Sequence, residues 1–351
     1  MTKMRSVTLV APRRFEIVEV DKPVVDRDSV IVKIEGHGIC GSNLHFWYGG
    51  GSANAMSCYP MPGAGGHEFA GVVVEAGEGV GAVKVGDRVA VDFFHSTSCG
   101  RCSYCMMGWT NQCTGRPAHS VGGFVEYLKL SERGLHLLPD SIETHAAAIA
   151  EPAAVPVSAL RRVGLHGGEQ VVVLGSGVVG LAAIGAAKAM GASRVVATAK
   201  HEQQAAFARR FGADAVVRST DSKCVDEIRA ELDGLGADIV VETVGGHAPT
   251  LDYATEVVRP RGEVVVLGLW DELVPMDSWK AVLKDVTYRF CLTYGAHGVK
   301  TDFAYTVELM GSRKVPMQDL ITHVLPLDRI SEAFEIAADK SSGAVKVVLS
   351  P

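Results

Sequence analysis

No run of apolar residues in this sequence approaches the roughly 18 needed to cross a bilayer as a helix, although 47% of its 351 residues are hydrophobic. The apolar content is broken into short runs, as in a chain that buries cores. Excess positive charge is lacking too. The formal net charge is −6, which argues against a nucleic-acid partner, because phosphates call for a basic face. The first twenty residues, MTKMRSVTLVAPRRFEIVEV, alternate like a strand and lack the apolar core of a signal peptide. There is no low-complexity tract and no internal repeat beyond an alternation of strands and helices. These absences lead us to expect a cytoplasmic protein with no membrane partner. In that compartment thiols stay reduced and disulfides are rare, so clustered cysteines point toward metal.

The chain is long enough for about two domains. Residues 1–156 read as short strands between glycine-rich turns, SVIVKIEG, EFAGVVVEAG and DRVAVDFF among them. From 157 to 295 the pattern changes to apolar strands alternating with helical stretches. QVVVLG (170–175) precedes a helix over 178–191, RVVATA (194–199) precedes another, and DIVVETVG and EVVVLGLW continue the series. That alternation predicts an α/β, doubly wound parallel sheet of the Rossmann type, covered on both faces. Residues 296–351 hold a helix near DFAYTVELM, end in the strand AVKVVLS, and are expected to return to the first, β-rich domain.

Four of the eight cysteines lie in CGRCSYCMMGWTNQC, at Cys99, Cys102, Cys105 and Cys113. The spacing C-x2-C-x2-C-x7-C lets thiolates face one tetrahedral ion, and four sulfurs close its coordination shell to water and substrate. This predicts a structural zinc, with an iron–sulfur cluster as the competing metal. A second constellation is scattered: Cys40 in GHGICGSNLHFW, His67 and Glu68 in GAGGHEFAG, Glu151 in AIAEPAAV. One thiolate, one imidazole and one or two carboxylates make a shell that leaves a position open, as catalytic zinc requires. GSGVVG supplies Gly175, Gly177 and Gly180, with Val178 and Val179 between them, after an apolar strand and at a helix start. In that context G-x-G-x-x-G predicts a dinucleotide pyrophosphate on the helix N-terminus. The acid expected about twenty residues on, to hold the ribose hydroxyls of NAD, is missing. Ala199 stands there, followed by Lys200 and His201, so charge complementarity favours NADP over NAD.

Taken together, GICGSNLH, GGHEFAG, VGDRV, the cysteine lobe, GGFVEY, EPAAV and GSGVVG resemble the zinc-dependent medium-chain alcohol dehydrogenases, the polyol (sorbitol-type) branch above all. The resemblance runs over nearly the whole chain. It implies that the β-rich part is a GroES-like catalytic domain carrying the zinc lobe. It also implies two zinc ions per chain, one structural and one catalytic, the latter on Cys40, His67 and either Glu68 or Glu151. Ser42 would then contact the substrate oxygen, and His45 would pass the proton to solvent by way of the cofactor ribose. Arg289, in YRFCLTY, would reach cofactor and substrate. The implied activity is hydride transfer between NAD(P) and a secondary alcohol of a polyol, sugar or sugar acid, in a homodimer or homotetramer joined through the edge strand EVVVLGLW.

One departure from the family pattern matters. Where the motif usually carries Asp after Ser or Thr, this chain has Asn43. The aspartate orients the zinc-binding histidine, and asparagine can accept a hydrogen bond but brings no charge. Asn43 therefore keeps open a different reading, a cofactor-binding redox sensor without catalytic zinc; within enzymes the alternative is a threonine-type or amino-alcohol dehydrogenase. The aromatics Phe46, Trp47 and Tyr48, before Gly49–Gly51, suit either a mobile loop over a pocket or domain core.

Overall fold

The structure, a computed structural model, describes residues 2–49, 59–116, 123–218, 223–270, 272–297, 299–339 and 341–351. The chain divides into two compact units: Met1–Glu151 with Gly298–Gly311 and Gln318–Pro351, and Pro152–His297 with Ser312–Met317. Ser312–Met317, in the stretch expected to return to the first domain, goes with the second.

In the first unit a seven-stranded sheet is built around the strand Val30–Gly38. That strand pairs antiparallel with Glu68–Ala76, with Tyr127–Leu130 and with the last strand, Lys346–Ser350. Its Val30, Val32 and Ile34 pack with Phe69, Val73, Val89, Val91 and Leu128 in one buried cluster. In DRVAVDFF only Arg88–Val91 is strand; Asp92 accepts a hydrogen bond from His95 N and starts a short helix at Phe93. Trp47, 1% exposed, packs in a second cluster with Val7, Phe124 and Phe334. This aromatic therefore belongs to the core rather than to a lid, while Tyr48 is exposed. Gly50 and Gly51 lie outside the described residues.

The second unit holds six parallel strands. Numbered along the chain they lie in the order 3-2-1-4-5-6: Ala215–Val217, Arg194–Thr198, Gln170–Leu174, Ala237–Glu242, Val258–Val266 and Thr287–Phe290. This is the doubly wound Rossmann order, in which ligands sit beyond the carboxyl ends of the strands where the order reverses. Valine-rich central strands, buried on both faces, supply its core. EVVVLGLW is not the edge strand we expected. Val258–Val266 has a partner on each side, and the edge is Thr287–Phe290. Thr287–Phe290 is a four-residue strand of mixed character, too short and too polar for its edge position to be read from the sequence. Among the described residues no helix is long and apolar enough to cross a membrane.

Candidate active site

The pairing of three strands gathers residues that are far apart in sequence. Gly38, at the end of its strand, lies opposite Glu68 on one side and Val348 on the other. Two residues beyond Gly38, Cys40 is the residue from which the helix Gly41–Tyr48 starts. His67 immediately precedes the strand that begins at Glu68. Ligand atoms of Cys40, His67 and Glu68 consequently lie within 4.8 Å of one another. Glu151, in the first turn of the helix Ala150–Arg162, stands outside this trio but is buried near it, and its charge acts on His67.

The electrostatics of the trio are those of a site short of positive charge. Burial alone would lower the pKa of His67. The Cys40 side chain beside it, then Glu151 and Glu68, outweigh that and push it up to about 10. The imidazolium proton stands in for a cation. A thiolate, an imidazole and a carboxylate are a donor set that zinc takes readily, so the residues fit the metal. His67 Nδ1 is 2.9 Å from the Gly65 carbonyl oxygen, an arrangement that fixes the ring of a metal-binding histidine and leaves Nε2 for the ion.

Lys346 is a residue the sequence reading missed. Its ammonium donates to both oxygens of Glu68, at 2.8 and 2.7 Å, and to the Ile39 carbonyl at 2.9 Å. Both partners are buried. A lysine amid valines in the terminal strand, VKVV, was the available signal, since a lysine is almost never fully buried unpaired.

Ser42 and His45 lie three apart on the helix Gly41–Tyr48, a spacing that puts them on one face. Both are half-buried.

The sulfurs of Cys99, Cys102, Cys105 and Cys113 form the other cluster, again within 4.8 Å of one another. Cys102 and Cys105 are 3.4 Å apart and Cys99 and Cys105 4.0 Å, with no disulfide among the described cysteines. Zinc–sulfur bonds of about 2.3 Å place tetrahedral thiolates roughly 3.8 Å apart, so this cluster also fits the ion. Arg133 Nη2 donates to the Ser98 carbonyl at 2.7 Å and Arg116 Nη2 to that of Thr110 at 2.8 Å, bracing the lobe.

In the second unit, GSGVVG forms the turn between the strand Gln170–Leu174 and the helix Val178–Ala189, which begins at Val178 and Val179. Gly175 has φ +98°, and a Cβ there would press on Thr243 and Val244. Among the described residues, and apart from its chain neighbours, no atom lies within 4 Å of where a Gly177 Cβ would stand, while a Cβ on Gly180 would collide with the Gly175 carbonyl oxygen. The turn is tied down by hydroxyls: Thr198 Oγ1 accepts from Gly175 N at 2.8 Å, and Thr243 Oγ1 donates to the Leu174 carbonyl at 2.8 Å. Buried Glu242 accepts from Val244 N, Gly245 N and Thr250 Oγ1 at 2.7–3.0 Å, ordering the neighbouring loop. A helix N-terminus exposed beside an open glycine turn fits a dinucleotide pyrophosphate.

Ala199 immediately follows the strand Arg194–Thr198, and its N–H donates to the Val217 carbonyl at 3.0 Å. The residues that follow the two strands, Lys200 and Arg218, are thereby neighbours. Arg218 Nη2 reaches the Lys200 carbonyl at 3.2 Å, and its other nitrogen pairs with exposed Glu202. Arg218 is a second residue that sequence reading missed, because register rather than spacing brings it to Lys200. Arg289 lies on the outermost strand with its side chain exposed.

Residues 26–140 match the family model for an alcohol dehydrogenase GroES-like domain, and residues 178–312 that for a zinc-binding dehydrogenase. The chain is 33% identical over 333 residues to "Probable D-xylulose reductase A" of Aspergillus clavatus, covering 91% of this chain and 90% of that one. To the sorbitol dehydrogenase of Bacillus subtilis it is 30% identical over 353 residues, 99% of this chain and 97% of that one. Among solved structures, a chain from Sinorhizobium meliloti described as a zinc-binding dehydrogenase bound to NADP superposes with a TM-score of 0.85, at 26% identity over the full length of both. An alcohol dehydrogenase of Escherichia coli CFT073 in complex with NADH does so with the same score, at 25% identity and full coverage of both. The chain belongs to the zinc-dependent alcohol dehydrogenase family, in its polyol branch, and is an NAD(P)-dependent oxidoreductase.

Proposed function

We propose that the protein interconverts a secondary alcohol of a polyol, sugar or sugar acid and its ketone, with NADP as the preferred hydride carrier. The reading rests above all on the gathering of Cys40, His67 and Glu68 with a histidine held near pKa 10 by the negative charge around it. The names of the relatives, a xylulose reductase and a sorbitol dehydrogenase, support the substrate class.

Cys40, His67 and Glu151 would hold the catalytic zinc at rest. Glu68 is already neutralised on both oxygens by Lys346, so it is the carboxylate held in reserve. Zinc bound there supplies Lewis-acid stabilisation of the negative charge that develops on the substrate oxygen. Ser42 would accept the hydrogen bond of the substrate hydroxyl and release its own proton as it takes the substrate's, and His45, one helical turn further, would pass that proton to solvent by way of the cofactor ribose, a task for which imidazole is the natural side chain. Hydride acceptance is the chemistry of the nicotinamide. Gly175, Gly177 and Gly180, with Val178 and Val179 at the helix start, hold its pyrophosphate. The cysteine lobe carries a second, structural zinc.

The preference for NADP follows from charge. No carboxylate stands at Ala199, and Lys200 and Arg218 lie side by side at the ends of adjacent strands. A 2′-phosphate entering there displaces Glu202 from Arg218 and gains the guanidinium. Arg289 on the outer strand is assigned to the cofactor by resemblance to the polyol branch. We place the protein in the cytoplasm, where the cysteine lobe stays reduced.

The test combines metal analysis with a panel of polyols, sugars and sugar acids, followed by reduced-nicotinamide absorbance in both directions. About two zinc per chain and turnover of one substrate class are expected. One zinc and no turnover across the panel would sink the reading. For the cofactor, Arg218→Ala should weaken NADPH binding about tenfold in a fluorescence titration and leave NADH nearly unchanged; equal loss of both would refute the 2′-phosphate role.

A further inference from the structure

Asn43 does more than stand in for a missing aspartate. It is 1% exposed and sits in the first turn of the helix that starts at Cys40. Its Oδ1 accepts from the Cys40 N–H at 2.9 Å. Its Nδ2 donates to the Gly65 carbonyl at 2.8 Å, with a longer contact of 3.5 Å to that of Ala64. The same Gly65 carbonyl lies 2.9 Å from His67 Nδ1. One amide thus grips the backbone of one metal ligand and the carbonyl that orients the ring of another.

The direction of this grip is fixed by chemistry. A backbone N–H can be met only by an acceptor, so the oxygen of Asn43 must face Cys40. The other end, which faces a carbonyl oxygen, must then be the NH2. A carboxylate of the same shape satisfies Cys40 but turns a second oxygen toward the Gly65 oxygen at hydrogen-bond distance. In a buried place two acceptors face to face, with no proton between them, are costly. Relief comes only if the carboxyl keeps a proton or the Gly63–Gly65 turn shifts, and a shift carries off the carbonyl on which His67 rests. Asn43 does not touch His67 as the family aspartate was expected to; it acts through Gly65.

We propose that Asn43 is a positioning residue for the catalytic metal site, and that its amide is required there. Restoring the residue more usual in the family, Asn43→Asp, weakens the site rather than strengthening it. The inference rests on Cys40 and His67 being metal ligands.

The experiment strips metal from the wild type, Asn43→Asp and Asn43→Ser and titrates zinc back against a chromophoric chelator. Cobalt-loaded samples give visible spectra, and thermal unfolding of the metal-free forms reports folding separately. Serine can still accept from the Cys40 N–H but cannot also reach Gly65, so it tests the second half of the grip if the aspartate variant fails to fold. We expect all three proteins to keep the four-cysteine metal. Affinity for the second ion should drop about 10–100-fold in both variants, with an altered cobalt spectrum from that site. Unchanged second-site affinity and spectrum in Asn43→Asp, or in Asn43→Ser should the first not fold, overturn the inference alone. A wild type that binds metal only at the cysteine lobe overturns the metal-site reading, and the inference with it.

Discussion

His37 shows what a single residue costs when the fold needs the space but not the charge. It lies fully buried in the strand Val30–Gly38, edge-on to Phe69 at 5.5 Å and tilted on Phe124 at 5.6 Å. Neither ring nitrogen makes a well-formed hydrogen bond, the Val125 backbone supplying a marginal contact. Burial pushes its pKa down from 6.5 to about 3. The unfolded chain therefore takes up a proton in that window that the folded chain refuses. The stability His37 leaves intact above pH 6.5 is lost progressively as pH falls toward 3. Asp92 has the opposite slope: burial raises it to about 7, so its contribution improves as pH falls from 7 toward the ordinary carboxylate range. The difference between proteins isolates the histidine. His37→Leu should unfold at higher urea than wild type at pH 5, by a few kcal/mol, with a smaller gain at pH 7; a gain independent of pH would contradict the assignment. Nothing in GHGIC marks His37 as buried and unpaired. By contrast the grouping of Cys40 with His67 and Glu68, and of the four lobe cysteines, was readable, because side chains able to hold a metal stand out by residue type and motif. The pairings of Lys346 and Arg218 were not: the lysine among valines in VKVV hints at burial but not at a partner 278 residues away, and a neighbour brought in by strand register leaves no local trace.

Among the elements, legibility follows burial. The Rossmann strands are apolar on both faces and appear as valine-rich runs, so Gln170–Leu174 and Arg194–Thr198 fall within the stretches read from the sequence and Ala237–Glu242 starts one residue before the stretch DIVVETVG. Short or half-exposed elements, such as Ala215–Val217 and the edge Thr287–Phe290, carry too little pattern to reveal their place in the sheet. The glycine turn was legible down to its individual residues, and it leaves little room for a side chain. Adding one methyl at Gly180 drives it into the Gly175 carbonyl, which cannot yield because Thr198 and Thr243 clamp the turn from both sides. Gly180→Ala should therefore cost about 1–3 kcal/mol in the unfolding of the second unit and remove most NADPH fluorescence enhancement, while zinc content stays at the wild-type value. Full cofactor binding in that variant would mean the helix can back away, and the turn is looser than its hydrogen bonds imply.

For the whole molecule, one stretch of sequence carries a cluster of large exposed apolar residues. Leu269, Leu273, Trp279, Val282, Leu283, Phe290 and Leu292 are each more than half exposed, Trp279 at 75% and Phe290 at 67%. They flank and include the outermost strand Thr287–Phe290, which offers an unpaired backbone edge among the described residues. An exposed edge beside large apolar side chains is a liability that soluble proteins cover. A second copy of the chain covers it economically, because a two-fold axis lets the same strand pair with itself and apolar residues on each side meet their counterparts. The expected outcome is at least a homodimer, joined through Thr287–Phe290 rather than through EVVVLGLW. Phe290→Lys and Trp279→Glu, made together, place like charges opposite one another across that axis. Light scattering after gel filtration should show the wild type at twice the chain mass or more and the double variant at the mass of one chain. The variant should bind as much zinc as the wild type, since both candidate metal sites lie in the other unit. A wild type that elutes as a single chain at micromolar concentration, or a double variant that stays paired, would move the interface elsewhere and leave these apolar residues without a partner.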